Sequence, residues 1–169
     1  DTAAGQKAGK AGDEFWTKTA RQMLMYTVSA LYAATGNVTA GDIVRFVTTM
    51  PTRNPTTDEE KAALDKNFAV GILHQMRTNP ARNIPDDLKE QTISYWRLQY
   101  MAYPEKTRGS ILAHVTSSLN RFNTGMLRKC FCADTTIVPE MTMAGAIVIM
   151  ALPVLTHNED GLIANQLMK

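Results

Sequence analysis

The residues of this chain whose types could do chemistry are few: two cysteines, three histidines and a glycine–lysine cluster near the start. Gly5-Gln6-Lys7-Ala8-Gly9-Lys10-Ala11 imitates a phosphate loop. In a working loop, four residues between the glycines let successive backbone N–H groups cradle phosphates, and a Ser or Thr after the Lys holds Mg²⁺. Here three residues intervene, Ala11 follows Lys10 and no strand-like run precedes, so a flexible segment is expected instead. Zinc takes four ligands, commonly as two spaced pairs. Cys130 and Cys132 stand as C-x-C with no second pair and no nearby His. Positions i and i+2 of a helix point apart, which disfavours a disulfide, and buried, reduced thiols of a cytosolic protein are expected. His74, His114 and His157 have no metal-ligand spacing, and the first two read as helix-surface or boundary residues. No G-x-S-x-G elbow surrounds any serine. The residues therefore predict no catalytic, cofactor-binding or metal-ligating group.

Basic residues offer a different chemistry. Arg77 and Arg82 flank a turn, while Arg121, Arg128 and Lys129 follow a long helical pattern. With Trp96, Tyr100 and Tyr103 interleaved, such groups are able to contact phosphates and stack on bases, although a solvated helix face and a core aromatic stripe explain them better. The balance of 18 basic and 16 acidic residues gives a net charge of +2, too slight to demand a nucleic-acid partner. At 169 residues the chain fits one domain able to bury a core without metals or disulfides. No stretch approaches the roughly 20 apolar residues that span a bilayer.

The elements that must position these residues read as helices. Asp13 suits an N-cap, and Trp16, Ala20, Met23 and Thr27 run along one face of a helix ending near Gly36. Thr39-Ala40-Gly41-Asp42 starts a short helix that stops at Pro51, and 51–55 is a polar turn. Thr57 followed by Glu60 is a capping box, after which Leu64, Phe68, Ile72 and Met76 predict one helix running toward Asn79-Pro80. Pro85 opens another carrying Leu88, Thr92, Trp96 and Tyr100, interrupted at Pro104. Ile111, Val115, Leu119 and Phe122 mark the next, continuing past Gly125 through Met126, Leu127 and Phe131. The character changes at 146–152, an uninterrupted apolar run ended by Pro153 that reads as a strand buried on both faces. It ends without the carboxylate that a Mg²⁺-binding strand needs. A helix starts again over about 159–169. One buried strand cannot satisfy its own backbone groups, so its neighbours are expected outside this chain. The abrupt beginning at Asp1-Thr2-Ala3 and the abrupt end likewise predict a piece of something longer.

Asp13-Glu14-Phe15-Trp16 followed by Ala20-Arg21-Gln22-Met23-Leu24 resembles the opening of coupling-protein ATPases of type IV secretion and conjugation, the TraG/TraD-like members of the FtsK-type motor group. Lys106-Thr107-Arg108, the Gly125 to Phe131 stretch, a Thr135/Thr136 turn, Pro139-Glu140 and the run into Leu152-Pro153-Val154 follow that family's order. The resemblance covers nearly the whole chain from Asp13. It departs at Ala151, where many relatives are acidic.

The resemblance implies a mainly α fold: an opening flexible segment over 1–12, an all-α inserted domain over 13–138, and over 139–169 a short strand–helix return to a RecA-like α/β core. It implies that the phosphate loop and the acidic Mg²⁺ strand lie outside this chain, which would hold no cofactor while its parent ATPase uses ATP and Mg²⁺. The parent is expected to be a membrane-associated homo-hexamer on the cytoplasmic side of the bacterial inner membrane. This domain would receive relaxase–DNA complexes, effector proteins or single-stranded DNA. Arg108, after the family-like Lys-Thr, joins Arg77, Arg82, Arg121, Arg128 and Lys129 as a candidate contact. The alternatives are a free-standing helical adaptor with no motor, and a small helical enzyme whose site assembles in space.

Overall fold

The computed structural model describes residues 2–132, 138, 140–149 and 153–167. It is mainly helical, as the sequence predicts. The chain divides into two compact units, Asp1–Leu119 and Asn120–Lys169.

The first unit is built on α1 (Thr2–Thr35), helical from well ahead of the Asp13 start and so over 2–12, where a flexible segment was expected, as the Ala and Lys content of that stretch allows. Its buried residues Met23, Thr27, Ala30, Leu31 and Ala34 recur at three and four positions, which places them on one side of the helix. The Thr27 hydroxyl donates to the Met23 carbonyl at 2.7 Å, so the polar atom in this stripe is satisfied. α1 stops at Gly36, as expected, with φ +76 and its N–H on the Tyr32 carbonyl. The carbonyls left over in the last turn are taken by the Arg82 N–H, on Ala33 at 3.1 Å, and the Gln75 amide, on Ala34 at 2.8 Å. A side chain at position 36 would meet strain from φ and contact Arg82 at 3.5 Å.

α2 (Ala40–Thr49) begins on the expected capping box, the Thr39 hydroxyl accepting from Asp42 N–H and the Asp42 carboxylate accepting from Thr39 N–H. The single helix predicted from Thr57 to Asn79 is two, α3 (Asp58–Asp65) and α4 (Phe68–Thr78). The break has a local cause. The Asn67 side chain caps α4 by accepting from Val70 N–H and also donates to the Thr49 carbonyl at 2.7 Å, tying the start of α4 to the end of α2. The apolar four-residue repeat continues across the break, but Phe68, Ile72 and Met76 meet the core whereas Leu64 of α3 is half-buried outside it.

α5 (Asp86–Ser94) starts after Pro85 and passes through a π-helical turn, Tyr95–Gln99, into α6 (Tyr100–Ala102). The Tyr100 N–H bonds to the Tyr95 carbonyl, five residues back, so Tyr100 lies one turn on from Tyr95 and both enter the core beside Trp96. An unbroken α-helix would spread these three around a wider arc. The rings form an edge-to-face chain, with Trp96 5.2 Å from Phe46, 5.0 Å from Tyr95 and 5.0 Å from Tyr100. Burial pushes the Tyr95 hydroxyl well above its ordinary value, with Tyr103, Tyr100 and Tyr26 adding to it. The Tyr95 hydroxyl and Trp96 indole N–H are buried without a partner among the described residues. α7 (Glu105–Leu119) closes this unit through Ile111 and Val115.

In the second unit a 3₁₀ turn, Asn120–Asn123, leads into α8 (Gly125–Phe131), α9 (Glu140–Met143) and α10 (Val154–Leu167). Leu127 and Ala164 are fully buried, and Phe122 meets Phe131 edge-on at 6.2 Å. α10 is kinked at Asn158, whose φ of +48 and ψ of −127 are non-helical. The helix expected from about 159 begins beyond that kink. The strand expected over 146–152 is not found at 146–149, which is irregular and leaves Ile147 and Ile149 almost fully exposed. A strand requires a paired neighbour for its backbone groups, and no strand occurs among the described residues. Residues 150–152, the Thr135/Thr136 turn and Pro139 lie outside the described residues. The cysteines are also corrected: Cys130 is exposed and Cys132 half-buried, because Leu127 and Phe131 set the inward side of α8. The Cys132 thiol donates to the Phe122 carbonyl at 3.1 Å. Among the described residues, no helix is long and apolar enough to cross a membrane.

Candidate functional site

The first unit contains a cleft of about 540 Å³ between two helix faces. α4 contributes Val70, Leu73, His74 and Arg77, spaced i, i+3, i+4, i+7 and therefore aligned along one side of the helix. The α5–α6 segment faces them with Ile93, Trp96, Arg97, Leu98 and Met101. Met50, the 51–55 turn and Leu64 close one end. The floor is apolar and the rim is basic, and no carboxylate lines the cleft.

The rim arginines differ in availability. Arg53 forks onto the Glu60 carboxylate. Glu60 was expected to complete a capping box with the Thr57 N–H. It reaches one residue further and accepts from the Thr56 N–H at 2.7 Å and hydroxyl at 3.0 Å, while Thr57 caps α3 through the Glu60 N–H. Glu60 thus fastens the turn that walls the cleft. The Arg53 hydrogen bond and the two from Thr56 hold its carboxyl down at about 2. Because the folded value lies below that of the unfolded chain, this contribution is fully present above the ordinary carboxylate range, near ~4.3, and is lost as pH falls toward about 2. Glu60→Gln should therefore melt earlier than the parent chain at pH 6, with the gap narrowing between pH 4 and pH 2 in paired thermal melts. A gap unchanged across that range would contradict the role given to Glu60.

Arg77 and Arg97 are exposed and have no carboxylate within ion-pair distance among the described residues. Leu98 stands on the same rim with 68% of its surface exposed, an unusual cost for a large apolar side chain beside a floor that is itself apolar.

Of the six basic residues proposed as contacts from sequence, Arg77 lines this cleft, together with His74 and Trp96. Arg82 sits at the end of α1 as described. Arg108 is turned onto its own backbone, its guanidinium donating to the Met101 carbonyl at 2.9 Å and the Tyr103 carbonyl at 2.8 Å. It thereby satisfies the carbonyls where α6 ends. Arg121, Arg128 and Lys129 belong to the second unit. There Arg121 pairs with Glu159 and lies 3.6 Å from Asp160, whereas Arg128 and Lys129 are exposed on α8. The aromatic surface considered for base stacking is core: Trp96 is wholly buried and Tyr100 nearly so. Arg53, Arg97 and Leu98 carry no such reading from sequence, while His74 is the helix-surface residue expected there. The sequence of α4 carried no separate signal for the cleft, since Leu73, beside Ile72 and Met76, also packs against the core.

No group of three or more His, Cys, Asp or Glu able to hold a metal ion occurs among the described residues. No curated protein and no solved structure matches the chain. A family model described as type IV secretory system conjugative DNA transfer matches residues 2–168, in accord with the resemblance carried by the Asp13–Leu24 opening. Since that match spans almost the whole sequence, the chain belongs to the type IV secretory system conjugative DNA transfer family.

Proposed function

We propose that this chain is the substrate-receiving all-α part of a conjugative coupling ATPase, and that it takes up a segment of the transferred protein in the Met50–Met101 cleft. The observation that carries this is the pairing of an open apolar floor with an unpaired arginine rim in a member of a DNA-transfer family. Clefts of this size, apolar with a few convergent polar groups, are where proteins commonly hold ligands. The substrate is a relaxase attached to its DNA, or an effector protein.

In this reading the chain does no phosphate chemistry. The continuous helix over Gly5–Ala11 supports that, because a phosphate cradle needs consecutive N–H groups turned outward and a helix interior commits them to its own carbonyls. ATP and Mg²⁺ are handled by other parts of a membrane-associated hexamer, on the cytoplasmic side of the bacterial inner membrane. Residues 139–169 return to the nucleotide-binding α/β core. The exposure of Ile147 and Ile149 supports this reading, since an apolar run left in solvent is expected where its pairing strands are supplied from elsewhere.

The test is the affinity of the chain for a relaxase of its own transfer system, measured with Leu98→Asp as the comparison. Leu98 is exposed, so the variant should fold unchanged. Binding should weaken at least tenfold; equal affinity would overturn the placement of the substrate in this cleft.

A further inference from the structure

The cleft also carries information about the chemistry of its occupant. This inference rests on the receiving role just proposed and adds to it the character of the segment received. We infer that the cleft takes an amphipathic helix whose apolar face is flanked by acidic residues.

Two features of the geometry lead there. The first is the shape. Val70, Leu73 and Arg77 on α4 face Ile93, Arg97 and Met101 on the α5–α6 segment, giving two apolar rows that each carry an arginine. An apolar trough between two helices accepts a third helix through anchors at i, i+3, i+4 and i+7. The second is the charge. Arg77 and Arg97 lack carboxylate partners among the described residues, Arg53 is already held by Glu60, and no acidic side chain lines the cleft. Arginine presents a fork that matches carboxylates, so acidic positions beside the anchors complete the site. A basic segment would instead meet like charge on the rim, which disfavours it.

Single-stranded nucleic acid fits this surface less well. It is normally held by exposed aromatic faces on which bases stack. The aromatic ring that reaches the cleft belongs to Trp96, which is fully buried in the core. The rim could meet phosphates, but beside it the exposed ring is the His74 imidazole alone, and no Phe, Tyr or Trp face among the lining residues is open for stacking.

The experiment uses the full chain and three probes: a 16-residue amphipathic peptide with leucine anchors and glutamate flanks, its twin with every glutamate replaced by lysine, and a 16-nucleotide oligo-dT. Amide shifts are followed by two-dimensional NMR at low and at physiological salt. The glutamate peptide should shift amides over 70–77 and 93–101, bind at least tenfold more tightly than its lysine twin, and weaken as salt rises. The doubly substituted Arg77→Glu, Arg97→Glu chain should reverse the order of the two peptides. Arg77→Gln, Arg97→Gln should leave them about equal, with a melting temperature near the parent's. Equal binding of the two peptides to the parent chain, shifts confined to other residues, no binding of the glutamate peptide, or tighter binding of oligo-dT at the same amides would each overturn the inference. If relaxase affinity still depends on Leu98 in that event, the receiving role stands and only the acidic character of its partner fails.

Discussion

Replacing Trp96 with alanine should unfold the first unit's core more severely than any other single truncation. Trp96 is fully buried and meets Phe46, Tyr95 and Tyr100 edge-on within 5.2 Å. Aromatic-to-alanine changes in cores cost roughly 3–5 kcal/mol, because transfer energy is lost and a cavity remains. Ring pairs are worth about 0.5–1.5 kcal/mol beyond burial, so the upper part of that range is expected. A small domain holds only about 5–15 kcal/mol in all, which makes this loss a large fraction of its stability. The π-helical turn adds to the effect. It exists to bring Tyr95, Trp96 and Tyr100 inward together, and without the central ring it has less to hold it against an ordinary helical turn. Urea unfolding should show the midpoint drop with little change in slope. A loss below about 1 kcal/mol would mean that the aromatic chain does not organise this core.

The second large effect is functional and should leave stability nearly untouched. Leu98→Asp changes a side chain that is 68% exposed, and surface changes of this kind usually fall within about 0.5 kcal/mol. Burying a leucine against a partner contributes about 1.5–3 kcal/mol, and an aspartate in its place also repels an acidic partner. A loss of about 2 kcal/mol is roughly a 30-fold change in affinity. Cells carrying the variant in the whole transfer protein should therefore show transconjugant counts reduced tenfold or more, at unchanged protein level. Undiminished transfer with weakened relaxase binding in vitro would mean that the cleft contact is not used in transfer.

Most of the architecture was legible because capping chemistry and apolar spacing are local. Thr39, Asp42, Pro85 and Gly36 mark ends that the structure keeps. The break at Asn67 was hidden because the apolar repeat runs unchanged through it, and what decides it is a hydrogen bond to Thr49, 18 residues away. The 146–149 segment failed as a strand for a related reason: its apolar composition suggests burial, yet the run is exposed, because pairing partners are not written in the run itself. At the site, the basic residues were visible as types, but spacing could not say which guanidinium was already engaged. Arg108 is committed to two carbonyls and Arg121 to Glu159, while Arg97, flanked by core aromatics in sequence, points to solvent. The cleft needed two helices to be set side by side. Neither helix alone reveals that the face beyond its core contact lines a groove.

The central claim is that the transferred protein is received in this cleft. It is tested most directly by photo-crosslinking during conjugation, with a benzoylphenylalanine placed at His74, exposed on the cleft rim, and separately at Ile147, 89% exposed in the second unit. The His74 position should yield a covalent adduct with the relaxase that disappears in the Leu98→Asp background. An adduct formed equally well from Ile147, or none from His74 while transfer proceeds, would contradict the account.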